Sequence, residues 1–182
     1  MKTENIERYL NSFGKQVVNR AKGNLQKAKG GGTNLEKSIR FEVLEDGDGF
    51  VINFYMSDYG TFVDKGVSGY NQKQNFKNYL GKVLPSPYKF KRNTRPIPSS
   101  ILTKWIQKKG LKGRDKKTGR FISNMSLAFI IGRKIKRDGI KSLAFFQKPL
   151  GLGLKQFGSE LLENVTEDIR EALDKTIKTQ VK

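Results

Sequence analysis

The sequence contains no cysteine and no histidine. Without thiols there are no disulfides and no thiolate metal sites, and the redox compartment stays open, because a cysteine-free chain folds equally well in either setting. Without imidazole there is no His ligand, no general base with an ordinary pKa near neutrality, and no Ser-His or Cys-His nucleophile pair. Long apolar runs are missing too. No segment approaches the ~20 apolar residues of a membrane span, so no membrane partner is expected. The first ten residues interleave Lys2, Glu4, Glu7 and Arg8 with few apolar side chains, where a secretory signal needs an unbroken apolar stretch. The expectation is a soluble protein that stays where it is made.

Carboxylates are scarce in one long stretch. Between Asp64 and Glu160 stand 23 Lys and Arg but only Asp115 and Asp138. A metal-dependent nuclease needs two or three converging carboxylates, and two isolated ones do not make that site. Glu42, Glu45, Asp46, Asp48, Asp58 and Asp64 gather earlier in the chain, but most alternate outward or fall in turns, where solvated surface is their usual role. No Gly-x4-Gly-Lys-Ser/Thr loop occurs, and the Gly-Leu-Gly-Leu of residues 151–154 lacks the strand-turn-helix context of a phosphate loop. No catalytic residue, metal or cofactor is expected, and the chain reads as a non-enzyme.

What is present is charge of one sign, segregated. Of the net +19, residues 1–64 contribute nothing (nine cations, nine acids), residues 65–159 carry +21, and residues 160–182 hold four cations against six acids. Such a segment suits a polyanion, although a merely solvated face or an acidic protein partner uses the same charge. Six phosphate contacts would give a log-log salt slope of about −5. The contact would be non-specific, since no helix-turn-helix, zinc finger or aromatic RNA-recognition pattern is visible.

The 182 residues read as one domain. Ile6, Leu10, Phe13, Val17, Ala21 and Leu25 recur at helical steps and predict a long first helix that stops at Gly30-Gly31-Gly32. The period then becomes two around Ile39, Phe41 and Val43 and again around Ile52, Phe54 and Met56, with Asp-Gly turn residues between, which predicts an antiparallel hairpin. Residues 57–66 read as a short helix with Tyr59, Phe62 and Val63 on one face. From Val67 to Pro96 no period holds; this stretch has seven cations, no acid, five aromatics and three prolines, and reads as an extended basic arm. A helix after Pro98 places Ile101, Leu102, Trp105 and Ile106 on one core-facing stripe. Lys112–Arg120 is a cation-loaded turn tip, and a helix opened by Ser123 or Asn124 turns Leu127, Ala128, Ile131 and Ile135 inward. Leu143, Phe145 and Phe146 suggest a strand. A final helix to about Thr179 follows, whose apolar residues repeat every four and so wind around it. The fold class is α+β: a small antiparallel or mixed sheet packed by long N- and C-terminal helices, with the arm 67–96 inserted.

The segments YGTFVDKG (59–66), GRFISNMSLAFIIGRKIKRDGI (119–140) and FFQKPL (145–150), in this order between long first and last helices, resemble the small neck proteins of tailed bacteriophages, the head-tail connector or tail-completion family. The first is similar to that family's Tyr-x-x-Phe/Tyr-Val-Glu-x-Gly element, with Asp64 where Glu is usual, and the third to its Pro-Phe-Leu-Arg-Pro-Ala element. The likeness spans about 120 residues, a typical domain length, and the insertion 67–96 departs from it. It implies a structural virion protein, made in the host bacterial cytoplasm, that forms a cyclic homo-oligomer in the neck or tail beside the portal and other neck proteins, with phage DNA in the lumen. Residues alone also leave open a free nucleic-acid-binding accessory protein of packaging or recombination. Candidate cations facing DNA or a partner are Lys89, Lys91, Arg92 and Arg95 in the arm and Lys116, Lys117 and Arg120 at the tip. Candidate oligomer contacts are Tyr70, Phe76, Tyr79, Leu173 and Ile177. Tyr59, Phe62, Phe145 and Phe146 are expected to pack the sheet against its helices.

Overall fold

The computed structural model describes residues 4–47, 49–95, 97–158 and 166. It is an α+β fold whose strands form three two-stranded sheets. The chain divides into two compact units: Met1–Gly60 with Lys77–Lys82 and Ala144–Lys182, and Thr61–Phe76 with Val83–Leu143. Among the described residues no helix is long and apolar enough to cross a membrane.

In the first unit, α1 (Glu4–Lys29) buries Leu10, Phe13, Val17, Ala21 and Leu25 of the helical stripe of the sequence, and Val18 beside them, while Ile6 is half-buried. It ends where the glycines begin. The short α2 (Asn34–Ser38), too brief to show a period, is started by Thr33, whose hydroxyl accepts from the Glu36 amide at 3.2 Å. Glu36 reaches back to the Gly32 amide (2.9 Å) and accepts from Gln26 Nε2 (2.6 Å), closing a capping box over the glycine joint. Those donors, Gln26 foremost, hold its carboxyl below the ordinary range.

Strands β1 (Arg40–Asp46) and β2 (Gly49–Tyr55) pair antiparallel, with Phe41 opposite Phe54 and Val43 opposite Ile52. The alternation predicted from the sequence holds for Phe41 and Val43 on β1, and on β2 it breaks at Asn53, half-buried between Ile52 and Phe54. Gly14 of α1 lies so close to this hairpin that a Cβ there would stand 2.3 Å from the Phe41 ring. Phe54 meets Phe13 at 6.3 Å and Phe146 at 5.3 Å between ring centroids. Phe145 and Phe146 are buried as expected, but in a turn instead of a strand, because they lead directly into the helix α6 at 147–158. On α6, Phe157 packs on Tyr9 and Phe13, with centroids 5.2 and 5.0 Å away. The expected course of the last helix beyond 158, with Leu173 and Ile177, lies outside the described residues.

The second unit begins with α3 (Gly60–Lys65). Its expected inward face is corrected: Tyr59 and Phe62 are largely exposed, whereas Asp64 is 2% exposed. One helical turn can bury only one side, and here that side carries the acid. Phe62 instead packs edge-on against Tyr88, centroids 4.4 Å apart. Strand β3 (Val67–Ser68) pairs antiparallel with β6 (Gly139–Ile140). On its other side Ser68 bridges in parallel to Lys89, with Ser68 N donating to Tyr88 O and Phe90 N to Ser68 O, both at 2.8 Å.

The stretch 67–95 is thus tied down by short polar side chains. Ser68 Oγ accepts from the Gln74 amide (3.0 Å), Gln74 Nε2 donates to Asp138 O (2.7 Å), and Ser86 Oγ donates to Gly66 O (2.7 Å). Strands β4 (Asn75–Lys77) and β5 (Val83–Pro85) form a further pair.

Helices α4 (Ser99–Lys109) and α5 (Asn124–Asp138) pack together through Leu102, Ile106 and Ala128, with Ile97, Leu127, Ile131 and Ile135 around them. Gly110 ends α4 in the left-handed conformation, and the Ser123 hydroxyl caps α5 by accepting from the Ser126 amide at 3.1 Å. The expected four-residue stripe of α4 is corrected. Leu102 and Ile106 are buried, but Ile101 and Trp105 face solvent, Trp105 at 44% exposure.

Candidate nucleic-acid interface

Charge follows the division of the chain. The second unit holds 19 Lys and Arg against Asp64, Asp115 and Asp138, a net +16 of the molecule's +19. The segregation seen along the sequence therefore survives folding.

Two neighbouring grooves of about 320 and 350 Å³ lie on the second unit and share Tyr70, Phe129 and Arg133. One adds Arg92 and Lys136, the other Ile130, Lys134 and Arg137. The last turns of α5 supply most of these cations. At a helix C-terminus they also complement the dipole.

The Arg92 guanidinium stands 6.0 Å from the Tyr70 ring and that of Arg133 5.5 Å from the Phe129 ring, a geometry that keeps the charge exposed while the ring supports it. Lys136 Nζ donates to Arg92 O at 2.8 Å and to Thr94 O, so it ties the 91–95 turn to α5. The Tyr70 and Asn71 amides donate to Lys136 O (3.2 Å) and Arg137 O (3.1 Å), which fixes the other wall.

Asp138 balances part of this charge. Arg137 Nε lies 2.6 Å and Lys134 Nζ 3.2 Å from its carboxylate. The Arg137 hydrogen bonds, then Lys134, hold the Asp138 carboxyl far below the ordinary range and raise Arg137 in turn. Arg133 makes no ion pair with Asp138 and remains open to an external anion.

The tip behaves differently. Arg114 and Phe121 bridge, and Asp115 gathers the turn by accepting from the Lys117 amide (2.9 Å), the Thr118 amide (2.8 Å) and the Thr118 hydroxyl (3.0 Å). Those donors, the Thr118 amide foremost, lower its carboxyl. Asp115 is thereby a turn residue, and Lys116, Lys117 and Arg120 project exposed around it.

Of the cations predicted from the sequence, Lys89, Lys91, Arg92 and Arg95 are all exposed, but only Arg92 lines the grooves. Arg133, Lys134, Lys136 and Arg137, in the last turns of α5, become groove walls in the fold. Their partners Tyr70 and Arg92 lie more than 40 residues away, and no local pattern connects them. Among the proposed oligomer contacts, Tyr70 lines the grooves and Tyr79 is exposed, its amide donating to Gln147 Oε1 at 3.0 Å. Phe76 is corrected: it is buried, with Lys65 Nζ 5.9 Å from its ring, and offers a neighbour no surface.

Among the described residues no three His, Cys, Asp or Glu gather as metal ligands. The grooves are lined by cations, the rings of Tyr70 and Phe129, and Ile130, a composition that attracts anions. Compared with protein-family models, curated proteins and solved structures, the chain matches none.

Proposed function

We propose that this protein is a non-catalytic structural component of a tailed-phage neck or tail, a copy of a cyclic ring beside the portal through whose lumen genomic DNA passes. The observation that carries the reading is the concentration of 19 cations against three carboxylates in one compact unit. Cyclic repetition would multiply that charge around one axis, where it meets phosphates without reading bases. The residues of 59–66 and 145–150, similar to elements of phage neck proteins, support the same reading. On this proposal the protein is made in the host bacterial cytoplasm and ends in the virion.

The test is light scattering of the purified protein, alone and with the portal of the same phage. A closed oligomer, or one formed on the portal, is expected. A second reading, a free accessory protein for nucleic-acid packaging or recombination, is favoured by the exposed Phe129 ring beside Arg133 and the half-buried Tyr70 ring beside Arg92, since bases stack on such rings. A strict monomer that binds DNA tightly and ignores the portal would decide for it.

A further inference from the structure

We propose that the exposed apolar stripe of α5 seats the acidic C-terminal segment, residues 160–174, of a second copy of the chain. The inference rests on the ring reading and names the contact that builds it. Met125 and Phe129, one helical turn apart on α5, are 67% and 54% exposed, and Phe121, in the bridged turn just before the helix, is 62% exposed. They cannot turn inward, because Leu127, Ala128, Ile131 and Ile135 already fill the side of α5 that meets α4. Cations border the stripe: the Arg114 guanidinium lies 4.5 Å from the Phe121 ring and Arg133 beside Phe129. Aromatic side chains flanked by Arg are the composition of interface hot spots, and this charge asks for a partner that brings carboxylates with its apolar face.

The second unit cannot supply that partner. Asp64 is buried, and Asp115 and Asp138 serve their own turn and helix end. The segment that can is in the same chain. Between Glu160 and Asp174 six carboxylates stand against Arg170 alone, a net −5 in 15 residues, interleaved with Leu161, Val165, Ile169 and Leu173. Those four stand four residues apart in the sequence, the spacing of Met125 and Phe129. The ring reading, which needs contacts between copies, assigns the occupant to a neighbour. One patch meeting an unlike patch on the next copy is the head-to-tail contact that closes rings.

Because the protein has no cysteine, engineered thiols report this contact without background. Met125→Cys chains are mixed with differently tagged Val165→Cys or Ile169→Cys chains and treated with a short bis-maleimide. The expected result is a linked heterodimer carrying both tags, with a Lys15→Cys control, from the far face of α1, giving none. Separately, Phe129→Ser should weaken self-association roughly tenfold, a typical hot-spot loss, while its circular dichroism stays that of the parent. Rings that assemble without either link overturn the contact and leave the ring reading standing. A Met125→Cys/Ile169→Cys chain that links only to itself also overturns the neighbour as occupant. A wild-type chain that stays monomeric with and without portal removes both the contact and the ring.

Discussion

Gly139 sits at φ +87, with a would-be Cβ 2.2 Å from Val67 O. That combination makes it the residue on which the β3–β6 pairing depends, since an L side chain there is strained in backbone and clashes in space. Gly139→Ala should cost the second unit about 2–3 kcal/mol, read as a lower urea midpoint. Asp138, one residue earlier, gives a pH signature. Its folded-state pKa is depressed, so its contribution is present above the unfolded value of about 4 and is lost as pH falls through the folded one. Asp138→Asn should therefore lower the urea midpoint at pH 7, converge with the parent in strong acid, and matter less in high salt, because the group is exposed. Single residues were also where the sequence misled. Trp105 and Ile106 share a helical stripe in periodicity, yet among the described residues Leu102 and Ile106 are buried while Ile101 and Trp105 stay exposed. Hydrophobicity told which side chains could be buried and could not tell which neighbour would arrive.

Long elements with an unbroken period were legible. α1, the β1–β2 hairpin, α4 and α5 appear where spacing and caps put them, each bounded by a Gly, Ser or Asp-Gly signal. Strands of two or three residues were not, because β3 and β6 show no alternation and exist through Ser68, Gln74 and Ser86 bonding distant backbone. The 91–95 turn is the sharpest case. It is held by Lys136, 41 residues beyond its end, through the carbonyls of Arg92 and Thr94. Lys136→Met keeps the aliphatic stem and removes both bonds. Limited trypsin digestion of that variant should cut at Lys91 and Arg92 several-fold faster than in the parent, whereas Lys89→Met should leave the rate unchanged.

For the whole molecule the decisive quantity is where net charge lies. The sequence located the excess between residues 65 and 159, and the fold keeps most of it in one unit, so this much of the candidate site could be read in advance. The groove could not, since Tyr70, Arg92 and Arg133 converge only through the β3–β6 pairing and the Lys136 tie. If the grooves meet phosphates, Arg92→Ala should flatten the log-log salt dependence of DNA binding by about 0.9, and Arg133→Ala should do the same in unassembled chains, where the proposed neighbour does not cover it. Fluorescence anisotropy over a salt series measures it, and equal losses on unrelated duplexes are expected. The chain path has a further consequence, for biogenesis. The second unit is inserted into the first, whose pieces come from both ends of the chain, and Phe13 waits for Phe157. At ribosomal speeds of about 5–20 residues per second, α1 spends many seconds outside the exit tunnel with only the β1–β2 hairpin to cover its apolar side and the Phe157 contact unmade. The part of the protein that is made first is the last to be finished, which makes it a client for whatever chaperone greets nascent chains.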